Sequence, residues 1–311
     1  MSRPVASVAE YPQATPRTWQ TRGSRLGVMA GDTLAYMRRN PELIVGLCLL
    51  LALLVFVLIG HLMVDLDKAR PLSTRVLQPP SPSLPFGSDK QGRNLLAVMV
   101  VGTPQTLEIG VFAGLIGVGI GTILALVSAF YGGKADSIIR GIVDVGLTIP
   151  GLMVLITLAM NVKGGLSIPQ MVLVVAALAW LFPARVIRAQ VLTARERAYL
   201  DVARLSGMPK RAIIVKELLP NLLPYIVASL VGSVSAAVLA SVGLEVLGLG
   251  SFDSLTIGMT LYWVIYYAAI INSWWWWWVP PIVIIIILFT GLFLIAVGLD
   301  EFANPRVRRR A

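Results

Sequence analysis

Residues 199–220, YLDVARLSGMPKRAIIVKELLP, form a charged, helix-forming stretch set between two long apolar segments. The chemistry these residue types support is docking, since nothing in the stretch pairs a nucleophile with a base. Gly207 can take the left-handed conformation that ends a helix, and Pro209 suits the first turn of the next. The spacing therefore predicts two short helices meeting at a tight corner. In the first, Tyr199, Val202, Ala203, Leu205 and Ser206 make a small and apolar stripe, while Glu196, Arg197, Asp201 and Arg204 point elsewhere. A stripe of that kind fits a groove on a partner.

Other reactive groups are few. Cys48 is the single cysteine, so no intrachain disulfide and no cysteine metal site can form. His61 is the single histidine and lies at the end of an apolar run, as an interfacial residue would. No GxxxxGK[ST] phosphate loop occurs, and Lys134 after Gly132-Gly133 lacks the following Ser or Thr. Carboxylates inside apolar stretches are costly in lipid and so are informative. Asp144 stands one turn from Arg140, where an i,i+4 pair is expected. Glu108 begins an apolar run and is expected at its outer interface. Glu245 shares a helix with Ser233, Ser235 and Ser241. Glu245 and Ser241 are expected either to border a wet translocation pathway or to be held by packing and hydrogen bonds.

The elements that must position these groups are membrane helices. A mean hydropathy of +0.80 with 14% charged residues is too apolar for a soluble chain of 311 residues. A hydrocarbon core of about 30 Å needs roughly 20 apolar residues per helical span. Six candidates are present, at 43–63, 106–131, 142–160, 168–182, 222–250 and 279–299. This predicts an all-α integral membrane protein. Its parts are an N-terminal arm (1–42), a retained first anchor (43–63), an outer loop (64–105) containing GSDKQGRN, a core (106–299) that includes the hairpin at 195–220, and a basic tail (300–311).

Positive charge marks the cytoplasmic side. On this topology the arm, the 131–141 loop, the hairpin region and the tail hold 20 of the 26 Lys and Arg. Both termini and the hairpin are thus expected in the cytoplasm. That bias accounts for the net charge of +10 without nucleic acid. Gly110, Gly114, Gly117 and Gly121 form a ridge that permits close helix contact. The run 274–278, five tryptophans, with Tyr262, Trp263, Tyr266 and Tyr267 before it, suggests interfacial anchoring, with substrate stacking as the alternative.

Asp201-Val202-Ala203, then Gly207, then Glu217-Leu218-Leu219-Pro220 resembles the EAA loop of ABC importer permeases. Asp201 stands for the family's Glu and Val202 for its first Ala. Gly87-Ser88-Asp89-Lys90-Gln91-Gly92-Arg93-Asn94 is similar to the GTDxxGRD motif of the dipeptide and oligopeptide permease subfamily. Gly132-Gly133 with Asp136 resembles its YxGGxxD turn. Arg140, Asp144 and Pro150 resemble its RxxDxxxxxP stretch, residues 247–250 its LSFLGLG, and residues 298–306 its GDGLRDALDPR terminus. Glu245 departs from the family's usual Ser.

The resemblance implies a type I ABC importer permease fold with six transmembrane helices and a cytoplasmic coupling hairpin, in a prokaryotic inner or plasma membrane. The ATPase-coupling residues it implies are Asp201, Val202, Ala203, Arg204, Gly207, Leu219 and Pro220. The chain would bind no cofactor. Its partners would be a B-type permease subunit, two ATPase subunits or domains carrying ATP and Mg, and an extracytoplasmic solute-binding protein. Short peptides are the implied cargo, with nickel chelates or oligosaccharides as alternatives on the same machinery. An ion-driven secondary transporter is the rival class, and it would call for repeats and paired intramembrane carboxylates.

Overall fold

A computed structural model describes residues 40–303, with side-chain environments up to residue 299. The chain divides into two units after Pro41, and the architecture below is that of the second. The expected arm, apart from its last three residues, and the tail beyond residue 303 lie outside the described residues. Among those residues there are helices, turns and isolated bridges, with no strand.

Helix α1 (Pro41–Met63) is an apolar rod about 35 Å long, enough to cross the hydrocarbon of a bilayer. It leaves most of its surface uncovered. It packs closely on the last helix, α10 (Trp275–Ala303), where a Cβ added to Gly46 would sit 2.8 Å from the Gly291 carbonyl oxygen, and Gly60 near its other end lies against Val100.

The segment after α1 ends in a buried polar knot. The Arg93 Nε donates to Asp89 Oδ2 at 2.6 Å, and Asp89 Oδ1 accepts from the backbone N–H groups of Gln91 and Arg93, each at 2.9 Å. Ser88 Oγ donates to the Arg75 carbonyl at 2.6 Å and accepts from Gln78 N–H at 2.8 Å. Asn94 then caps α2 (Leu95–Tyr131) by accepting from Leu96 N–H at 3.0 Å. The expected second span began at 106; the helix starts at Leu95, because Asn94 caps it and, from the apolar, buried run that begins at Leu95, the helix continues through Pro104 without a break. A stretch expected in the outer loop is a packed helix start in the fold.

Helix α2 is the central pillar, touching α5 (Ile168–Ala179), α6 (Leu181–Arg195) and α8 (Lys210–Val246) along its length. The expected glycine ridge performs this. Gly110 and Gly114 meet Val238 and Val234 of α8, Gly117 meets Ala179, and Gly121 meets Pro183 and Ala184.

Two expected spans are not straight. Residues 142–160 break into α3 (Gly133–Thr148) and α4 (Gly151–Ala159), inclined at 87°. Pro150 causes this, since the residue before a proline is driven out of the helical region, and Ile149 has φ −81° and ψ 132°. Residues 168–182 extend instead to 195 as α5 and α6, bent by 42°, where Pro183 cannot donate a helical hydrogen bond. The fifth span is also longer than expected. Helix α8 runs 37 residues, includes a widened π-helical turn at Ile213–Leu218, and stops at Val246 rather than 250 because Gly248 takes φ +80°. A ten-residue helix absent from the sequence reading, α9 (Ile257–Tyr266), follows. Four described helices are long and apolar enough to cross a membrane, or six if each bent pair counts as one span.

Gly117 should tolerate no side chain. A Cβ there would lie 2.7 Å from the Ala179 Cβ and 2.8 Å from backbone atoms, whereas Gly119, two residues on, has open space. Gly117→Leu should cost about 1–3 kcal/mol and lower the melting temperature of the purified protein in detergent. Gly119→Leu should leave it unchanged or raised, and equal effects would refute the close-approach assignment.

Candidate functional site

The corner predicted at Gly207 is present. Helix α7 (Ala198–Leu205) ends with Gly207 at φ +74°, its N–H bonded to the Arg204 carbonyl at 3.1 Å and that of Met208 to the Ala203 carbonyl at 3.2 Å. Pro209 is the N-cap of α8 rather than its first residue, and its carbonyl accepts from Ala212 N–H at 2.8 Å. No atom lies within 4 Å of a Cβ at Gly207, so only its backbone conformation requires glycine there.

The stripe divides differently from the expected one. Leu200 and Ala203 are buried against Ile187, Val191, Ile213 and Leu218, together with Ala125 and Ala129 of α2. Ala203 therefore roots the hairpin in the body instead of presenting it. Val202 and Leu205 face outward, 62% and 88% exposed. Asp201 and Arg204, expected to point elsewhere, flank them as an exposed ion pair at 2.8 Å. Such a pair adds little stability but fixes two charges beside two apolar knobs. Leu219 is half-buried and Pro220 exposed on the first turns of α8.

Behind the hairpin a polar clasp ties three helices. Arg188 of α6 grips Asp136 of α3 with two parallel bonds, Nε to Oδ1 at 2.7 Å and Nη2 to Oδ2 at 2.6 Å. The Ser128 hydroxyl of α2 donates to Asp136 and accepts from Arg188 Nε at 3.1 Å. Arg195 adds a bond from Nη1 to the Ala129 carbonyl at 2.8 Å. A forked guanidinium on a carboxylate is the strongest common ion-pair geometry. The sequence reading placed Asp136 in a turn and counted Arg188 only as a charge; 52 residues separate them, and no local spacing reveals the pair. The expected Arg140–Asp144 pair does not form, and both side chains are exposed. Asp136 already holds the partner-bearing position in the fold.

Glu245 and Ser241 are both buried in the seam between α8 and the turn leading to α9. The Ser241 hydroxyl donates to the Val238 carbonyl of its own helix at 2.9 Å. The Glu245 side chain lies against Gly250 and Gly258, and a Cβ at Gly258 would collide with its carboxylate. The turn is stitched down by Leu166 N–H to the Leu249 carbonyl at 2.8 Å and Ser251 N–H to the Leu166 carbonyl at 2.9 Å. Among the described residues both side chains are enclosed by their neighbours. Glu108 is more than three turns into α2 and exposed, not at a helix start. The tryptophan run is not a simple interfacial belt either. Trp277 is fully buried against Leu95, Val264 and Ala269, and Trp276 Nε1 donates to the Ser88 carbonyl at 3.3 Å. These rings fasten α10 to the polar knot before α2.

The architecture is that of a polytopic helical membrane protein whose bent spans pack against one side of a glycine-ridged pillar and whose hairpin, rooted in the body, presents an exposed outer face. A family model described as "Binding-protein-dependent transport system inner membrane component" matches residues 117–309, and the chain belongs to that family. The chain is 32% identical to the dipeptide transport system permease protein DppC of Bacillus subtilis (strain 168), over 70% of its own length and 68% of that protein. It is 31% identical to the oligopeptide transport system permease protein OppC of Mycobacterium bovis, over 56% of this chain, and it spans 60% of that relative's length. Among solved structures, one titled for inward facing conformations of the MetNI methionine ABC transporter superposes with a TM-score of 0.53 at 21% identity. That superposition covers 68% of this chain and 97% of the other, and it shows a shared fold. The resemblance read from the hairpin motif thus holds at the level of family and fold.

A double-mutant cycle measures the clasp. Asp136→Asn and Arg188→Gln should each destabilise the protein, and the pair together should cost less than their sum by about 0.5–3 kcal/mol. Strict additivity in detergent unfolding would show that the three helices are not held through this contact.

Proposed function

We propose that the chain is one permease half of an ATP-driven importer for short peptides, with the hairpin of α7 and early α8 as its ATPase-docking element. The observation that carries the reading is the free pair Val202 and Leu205 on a hairpin rooted by Leu200 and Ala203 in the body. Apolar knobs flanked by an ion pair are what a docking helix presents to a groove. The peptide cargo rests on the names of the relatives, which are dipeptide and oligopeptide permeases.

The chain carries no phosphate loop, so hydrolysis belongs to separate ATPase subunits that hold ATP and Mg. A B-type permease completes the pathway, and a solute-binding protein delivers cargo on the far side. Of the implied coupling set, Asp201, Val202 and Arg204 meet the ATPase, and the exposed Leu205 joins them. Ala203 and Leu219 transmit motion inward, Gly207 sets the corner, and Pro220 marks the start of the spanning part of α8. Because the hairpin runs into α8 without a break, a push on α7 moves α8 as a rod. The Asp136–Arg188 clasp carries α3 and α6 with it. Such rigid-body tilting is the usual form of a two-state transition. Moving the equilibrium from 1:99 to 99:1 takes about 5.5 kcal/mol of differential binding. Glu245 and Ser241 are the candidates for the pathway wall where the second permease closes on α8, with packing of the turn before α9 as the alternative role of Glu245.

The coupling assignment is tested by Leu205→Asp and Gly207→Val. The first should abolish docking by placing a charge in the groove, and the second should strain a backbone that needs positive φ. Both should insert and assemble with the second permease yet lose at least about tenfold in ATP-driven uptake, as expected for loss of one buried anchor. Normal uptake by Leu205→Asp would sink the proposal.

Orientation is tested separately in a Cys48→Ser background. A membrane-impermeant thiol reagent should label Ser206→Cys only from the cytoplasmic side and Ser83→Cys only from the outside. The reverse pattern would place the hairpin out of reach of any ATPase.

A further inference from the structure

Two adjoining cavities lie along α1, the first between it and α10 and the second between its end, the connecting segment and the start of α2. The deeper one, about 450 Å3, is walled by Leu53 and Phe56 of α1, by Phe86 of the connecting segment, and by Trp276, Pro280 and Val283 of α10. The second, about 530 Å3, lies at the end of α1 and is bordered by Met63, Asp65, Lys68, Ser83 and Asn94. Phe56 and Pro85 line both, so the two spaces adjoin. Each is within the roughly 300–1,000 Å3 of small-molecule sites.

The chemistry changes along the seam in one direction. From Leu53 to Met63 helix α1 rises about 15 Å, and over that distance the lining passes from wholly apolar to charged. The other wall, α10, runs antiparallel and descends about 18 Å from Trp275 to Ile287. Both helices are long and apolar enough to cross a membrane, with mean hydropathies of 3.2 and 3.1 over their best windows. The mouth of the apolar groove therefore opens to acyl chains, and its polar end lies where the spans emerge. Asp65 and Lys68 at that end offer one charge of each sign. Asp65 Oδ1 also caps the short turn at Leu66–Ala69 by accepting from Asp67 N–H at 3.1 Å, which holds the carboxylate in place.

We propose that the paired cavities hold one phosphatidylethanolamine of the surrounding bilayer, with an acyl chain in the apolar groove, its phosphate beside Lys68 and its amine beside Asp65. The polarity gradient matches a lipid standing in its leaflet, and the paired charges match a zwitterionic headgroup better than an anionic one. The lipid would fill the gap left between α1 and α10 beyond their packed stretch, where Leu43 meets Gly298 and where Gly46 and Leu50 meet Gly291 deeper in the membrane.

The test uses the full-length chain with its co-purifying subunits, taken from vesicles containing equal phosphatidylethanolamine and phosphatidylglycerol and examined by native mass spectrometry. The expected result is one retained phospholipid, enriched in phosphatidylethanolamine. Val283→Trp, which fills the groove from an exposed position, should remove it. Leu173→Trp, on the outward face of α5, should not. Lys68→Gln, an exposed change that cannot unfold the chain, should lower occupancy about fivefold, the effect of one basic side chain at a lipid surface. Equal retention in all variants, equal enrichment of both lipids, or a cysteine at Val283 that cross-links to another subunit would overturn the proposal.

Discussion

The close approach of α2 to its neighbours is the constraint on which the remaining architecture depends. In a bilayer the hydrophobic effect does not drive helices together, because lipid tails are as apolar as leucine; contact area and complementarity must do so. Four glycines at positions 110, 114, 117 and 121 let α2 reach the backbones of α8, α5 and α6. Because these glycines lie on one side of α2, the three partner helices gather on that side. The opposite side, with Glu108, Phe112 and Ile123, is left uncovered by this chain.

Prolines divide the bundle into pieces that can tilt. Pro150 drives Ile149 out of the helical region and Pro183 removes a helical hydrogen bond, so two apparent spans become bent pairs. The bends would be mere defects if the free ends were loose. They are instead pinned, by the Asp136–Arg188 clasp at one end of the bundle and by the Leu166–Leu249 and Leu166–Ser251 bonds at the other. The result is a set of short rods with fixed joints, suited to rigid-body motion rather than to bending.

Polar burial is concentrated at joints as well. Asp89–Arg93 lies almost entirely out of solvent, and removing one partner of such a pair is far more costly than the pair is worth against an apolar substitute. Its use is positional: it fixes the turn that sets the first residue of α2, and through Ser88 and Trp276 it also fixes the start of α10. Glu245 is buried at the α8–α9 turn, where Gly250 and Gly258 make room for its carboxylate.

The sequence by itself determined what depends on neighbours along the chain. Apolar runs of sufficient length gave the membrane class, glycine and proline at 207 and 209 gave the hairpin corner, and glycines at helical spacing gave the close-packed face of α2. It did not place the helix start at Leu95, since Gly102 and Pro104 interrupt the apolar run and only the cap at Asn94 and the packing of Leu95, Val98 and Met99 show that one helix continues through them. Nor could it tell which side of α7 faces inward, because Ala203 and Val202 differ little in local preference and only Ile187, Val191 and Leu218 decide between them. The Asp136–Arg188 clasp was equally hidden. Partners 52 residues apart on separate helices meet only after α2, α3 and α6 have packed, so tertiary structure alone decided it, through a fork of hydrogen bonds that no spacing rule encodes.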